Sequence, residues 1–167
     1  MGILDTIFGN TSSSLEDKIA IYLALFTALA RADGKVDELE LSFSRSFLAD
    51  IPGVKGLTEN QWESIFSKAD KNMVEFGTQS GWTSWAKKLT EEDKDELITY
   101  LVQGAASDGH IDSSEVAFIL VISQTIGHDG MDVLAYMEQN YGLDKAEVDL
   151  GRMSPRAATC RHCVYAA

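Results

Sequence analysis

Ala32-Asp33-Gly34-Lys35-Val36-Asp37-Glu38-Leu39-Glu40 returns 75 residues later as Ser107-Asp108-Gly109-His110-Ile111-Asp112-Ser113-Ser114-Glu115. Asp, Gly, a β-branched apolar residue, Asp and Glu recur in register. The register holds upstream, where Leu23, Phe26 and Ala30 fall on Ile98, Leu101 and Ala105, and downstream, where Phe43 falls on Phe118. A period shared by apolar and acidic positions marks a duplicated supersecondary unit. Here the unit is a helical hairpin. A 3.6-period apolar face precedes each turn, glycine stops the first helix, and Asp with Glu three residues on is the capping box that starts the second.

Working outward, Ser14 followed by Glu16 and Asp17 reads as an N-cap with acids in the first turn, where the helix dipole favours them. The first helix is predicted over about 15–32. The second continues through Leu41, Phe43, Phe47 and Leu48 and ends near Ile51, because Pro52 disfavours helix at the residue before it. Thr58 with Gln61 caps a third helix carrying Trp62, Ile65, Phe66, Ala69, Met73 and Phe76, and Trp82, Trp85, Ala86 and Leu89 predict a short fourth. These aromatics read as core rather than as a ligand cage. Thr90 caps the fifth helix and Asp112 the sixth, which is apolar on nearly every side from Val116 to Ile126 and is predicted to be the most buried. Val133, Leu134, Tyr136 and Met137 face inward from a seventh. No segment alternates with period 2. The fold class is therefore all-α: a single-domain bundle of about seven helices built from two pseudo-repeated helical hairpins. An N-terminal amphipathic segment (1–14) precedes the helical domain (15–150), and a tail (151–167) follows.

With 14 Lys and Arg against 26 Asp and Glu, the 167-residue chain carries a net charge of −12. Such a surface repels nucleic-acid phosphate and favours cations or a protein partner with a basic surface. No apolar run reaches the roughly 18 residues of a membrane span, and Asp5 interrupts any leader-like segment, so a cytoplasmic location is expected. The stripe Ile3, Leu4, Ile7 and Phe8 either docks on the bundle or associates peripherally with the inner membrane surface. Met1-Gly2-Ile3-Leu4-Asp5-Thr6 also fits the loose myristoylation pattern, which matters only in a eukaryotic host. Cys160 and Cys163 form a lone C-x-x-C without a second ligand pair, read as incidental tail cysteines.

The repeated turn copies the second half of an EF-hand calcium loop, but Leu29, Arg31, Gly104 and Ala106 stand where the earlier acids belong. Capping accounts for Gly34, Asp37 and Glu40 and for Gly109, Asp112 and Glu115. It leaves Asp33 and Asp108, each at the negative end of the preceding helix, where an acid is unfavourable. Two readings stand: capping alone, or capping together with a divalent cation (calcium, magnesium or zinc) or a basic partner. The metal candidates are Asp33, Asp37, Glu40, Asp108, Asp112 and Glu115. No phosphate loop, H-E-x-x-H or G-x-S-x-G occurs, and His110 reads as an exposed turn residue rather than a general base, so no catalysis is expected.

Helix-(Ala/Ser)-Asp-Gly-x-(Val/Ile)-Asp-x-x-Glu-helix, present twice in a small acidic chain, resembles the TerB family of tellurite-resistance proteins and the TerB-like domains of certain membrane-anchored co-chaperones. The likeness spans roughly residues 15–142. It implies an all-α bundle of two pseudo-repeated halves, a non-catalytic role in resistance to tellurite and other stress, and metal binding at Asp33, Asp37, Glu40, Asp108, Asp112 and Glu115. Nothing in it extends to Cys160 or Cys163.

Overall fold

A computed structural model describes residues 14–32, 38–76 and 84–143. Ser14 caps α1 (Leu15–Ala30), its Oγ accepting the Asp17 N–H at 3.2 Å. α2 (Glu38–Asp50) stops two residues short of Pro52, as the restriction on residues before proline requires. At the head of α3 (Glu59–Phe76), the Thr58 N–H donates to Gln61 Oε1 at 3.0 Å and the Gln61 N–H to Thr58 Oγ1 at 3.4 Å. Thr90 and Asp93 form the same reciprocal box before α4 (Glu91–Ala105). α5 (Ser113–Ile126) and α6 (Gly130–Tyr141) complete the bundle, joined through Gly127 at φ +90°, a left-handed conformation that glycine adopts without a Cβ penalty.

The predicted all-α class holds: the described residues form helices and short 3-10 turns, without a strand. Among the described residues six α-helices are present rather than seven. The expected fourth is a single 3-10 turn, Trp85–Lys88, and residues 77–83 ahead of it lie outside the described part. The turn stops at Lys88, as expected, because Leu89 (φ −94°, ψ 139°) and the N-cap Thr90 (φ −70°, ψ 167°) are both extended ahead of α4. That turn still buries Trp85 and Ala86, with Phe76 meeting the Trp85 ring edge-on at 5.7 Å.

α1–α2 and α4–α5 are the two hairpins. Glu38 and Ser113, which open α2 and α5, stand 75 residues apart. The centre belongs to α1, not to α5 as its all-round apolarity predicted. α1 packs on α2, α3, α4 and α5 and buries nine of its 16 residues, whereas Phe118 and Val121 on α5 remain partly exposed. Two other inward assignments change: Phe66 is 55% exposed and Tyr136 36%. Periodicity marks an apolar stripe but not its width. α6 packs on α5 and buries only Val133, Leu134 and Met137, leaving Tyr136 on the flank.

Tyr100 ties the halves together. Its ring stacks on Phe26 at 4.9 Å and Phe47 at 4.7 Å, and its hydroxyl shares a 2.5 Å hydrogen bond with the buried Ser44. Each such aromatic pair adds roughly 0.5–1.5 kcal/mol beyond area burial. Beside this cluster Lys18 on α1 reaches Asp93 at 2.7 Å and Glu96 at 3.0 Å on α4. Lys18 and Asp93 are themselves 75 residues apart, so the same place in each half holds opposite charges that meet.

Candidate functional site

The second acidic turn is built from the C-terminus of α4. A 3-10 turn, Ala106–Asp108, tightens the helix end, and Gly109 at φ +93° reverses the chain. Asp108 is exposed, and its Oδ1 accepts the His110 N–H at 2.9 Å. Ile111, 6% exposed, anchors the turn in the core. Asp112 then caps α5, Oδ1 accepting the Ser114 N–H at 2.8 Å and the Ser114 Oγ–H at 2.6 Å. Glu115, 6% exposed, folds back so that Oε2 accepts the Asp112 N–H at 2.8 Å. The expected capping box is therefore complete.

These bonds fix the electrostatics. The Ser114 hydroxyl, then its N–H, hold the Asp112 carboxyl below the usual carboxylate range against the opposing effect of burial. Asp112 and Glu115 direct named oxygens at free N–H groups of a helix N-terminus, where negative charge is already favourable. Asp108 differs in being exposed on the outside of the turn. His110 is exposed beside it, joined to Asp108 through its backbone and not through its imidazole.

In the first copy, Asp33 and Asp37 lie outside the described residues. Glu40 is within them: 7% exposed, it occupies in the first turn of α2 the place that Glu115 takes in α5. Among the described residues no three His, Cys, Asp or Glu side chains group closely enough to hold a metal ion. In the second turn Asp108, Asp112 and Glu115 are successive parts of a helix joint, the latter two turned to the backbone of α5 and Asp108 turned outward. The 1–9 stripe and Cys160-x-x-Cys163 also fall outside the described residues. No helix among the described residues is long and apolar enough to cross a membrane.

Sequence reasoning missed the charges at the α1–α4 contact. Burial pushes the Asp93 carboxyl up, yet hydrogen bonds from Lys18 and Thr90 together outweigh it and hold the group below its ordinary value. Glu16, on the other flank of α1, accepts from Lys68 at 3.3 Å, and Lys68 also reaches Asp17 at 2.8 Å. The 75-residue register sets Lys18 on Asp93, and that alignment was the available signal.

A family model described as "Tellurite resistance protein TerB" matches residues 19–138, from within α1 to within α6 and across both hairpins. No curated protein and no solved structure matches the chain.

Proposed function

This chain belongs to the TerB family of tellurite-resistance proteins, and we propose that within it the chain serves as a non-catalytic interaction module in stress and tellurite resistance, its acidic helix joints meeting a basic protein partner or a divalent cation. The observation that carries this reading is Asp108. It is an exposed carboxylate at the negative end of α4, repeated in sequence by Asp33, in a chain of net charge −12. An acid at a helix C-terminus costs a few tenths of a kcal/mol or more, which an approaching cationic group offsets. At the second joint a basic side chain suits the arrangement better than a chelated ion, because it can approach Asp108 without disturbing the bonds that Asp112 and Glu115 make to α5.

The test is calorimetric titration of the chelator-treated protein with Ca²⁺, Mg²⁺ and Zn²⁺, and separately with a short alternating alanine–arginine peptide, alongside Asp33→Asn/Asp108→Asn. Saturable cation heat lost in the double variant assigns the joints to metal. Peptide binding lost without any cation response assigns them to a basic partner. No heat from either ligand, with both proteins equally stable, returns the joints to helix capping and refutes the reading.

A further inference from the structure

About 20 Å along α4 from the second acidic joint, at the rise of an α-helix, a groove of about 300 Å³ opens between α4 and α6. Its floor is apolar, formed by Ile98 and Val133 with the flank of Tyr136, and Asp95, Asp129 and Asp132 line it as well. Asp95 and Asp132 are exposed, the Asp95 side chain by 76%. His128 lines it too, its Nε2 3.1 Å from Asp95 Oδ1 but off hydrogen-bond alignment.

An apolar floor under carboxylates does not suit a hard metal ion, which takes oxygen ligands throughout its shell. It also repels phosphate. It suits a ligand with an aliphatic stem and a cationic end: lysine and arginine lay their methylenes along apolar surface while the charged head stays at the polar edge, and a guanidinium gains further from an aromatic face. Tyr136 offers such a ring, 36% exposed. We propose that the groove between α4 and α6 receives a lysine or arginine side chain of a basic protein partner, its stem on Ile98, Val133 and Tyr136 and its charge between Asp95 and Asp132. The inference rests on the basic-partner reading above and gives it a second place of contact, away from the helix joints.

The experiment follows binding of a fluorescently labelled alternating alanine–arginine peptide to the full chain by anisotropy, and maps the contact by amide chemical-shift changes. Asp95→Asn/Asp132→Asn is compared with Glu59→Gln/Glu63→Gln, which removes the same charge from exposed positions on α3. The groove pair is expected to weaken binding about fivefold, and the α3 pair less than about twofold. The shift changes are expected at Asp95, Thr99, Val133 and Tyr136. All four replaced acids are exposed, and a melting curve for each variant confirms that the fold is retained. Equal weakening by the two pairs, or shifts confined to 106–112, overturns the groove and leaves the acidic-module reading standing. Absence of peptide binding overturns the groove and the basic-partner reading together, while the cation titration still decides the metal reading.

Discussion

Replacing Gly104 by alanine sets two opposing effects against each other inside α4. In a helix interior alanine is favoured over glycine by about 1 kcal/mol, so on propensity alone the variant should gain stability. A Cβ at this position, however, would lie 2.3 Å from Phe26 Cε2 and 3.2 Å from Cδ2 and Cζ. The Phe26 ring has no room to yield: it is 3% exposed, stacked on Tyr100 at 4.9 Å and tilted against Phe43 at 6.5 Å. Restoring ordinary contact requires α1 and α4 to part by about 1 Å. Overpacking of this kind costs typically 1–3 kcal/mol, and with a rigid ring as the obstacle the upper end applies, so the net loss is about 2 kcal/mol. For a chain of this size that lowers the melting temperature by about 4–8 °C. Urea unfolding measures it directly, as a lower midpoint at unchanged slope. In a Phe26→Leu background the obstacle is gone, and Gly104→Ala is expected to change sign and stabilise by up to about 1 kcal/mol. A neutral or stabilising Gly104→Ala in the wild-type background refutes the packing argument, since propensity would then have prevailed.

Two further expectations concern the charged groups. Asp112→Ala removes the N-cap of α5 and is expected to cost about 1 kcal/mol in urea unfolding, while Asp112→Asn keeps an acceptor and costs little; equal losses would mean that charge, not acceptor geometry, holds the helix start. Lys18→Met leaves Asp93 and Glu96 without their cation at a contact where the Asp93 side chain is 14% exposed, and should cost about 1–3 kcal/mol at neutral pH. Because Asp93 is held below its ordinary value in the fold, its contribution is present above about pH 4 and is lost as pH falls through the lowered value. The Lys18→Met penalty should therefore shrink toward pH 3 in a pH series of unfolding curves, and an undiminished penalty there excludes the ion pair as its source.

The helix starts were legible in the sequence because their signals are local. Ser14, Thr58, Thr90 and Asp112 each cap the helix they were assigned, with side-chain bonds to residues two or three positions ahead. The duplication was legible for the same reason, being a matter of register. Depth was not legible. The all-round apolarity of α5 and the periodic stripe of α1 do not reveal that α1 has neighbours on every side while one flank of α5 faces outward, since that depends on how distant helices stack. The short Trp85–Lys88 turn was overestimated because Trp85 and Ala86 are core residues whatever the backbone does around them. Of the candidate acids, Asp112 and Glu115 show the capping roles their spacing predicts, Glu40 occupies the matching position in α2, and Asp33 and Asp37 lie outside the described residues. The groove between α4 and α6 left no trace in the sequence, because Asp95 and Asp132 are brought to it by separate helices.

The meeting of Lys18 with Asp93 has a bearing on how the two halves can associate. Identical hairpins would be interchangeable, and a chain could trade one for its twin in a neighbouring molecule. With lysine in one half and aspartate at the matching place in the other, a first half set against another first half brings ammonium to ammonium, and two second halves bring carboxylate to carboxylate. Only the unlike pairing is attractive. The charges at this contact therefore single out the pairing of a first half with a second half over the pairing of two like halves.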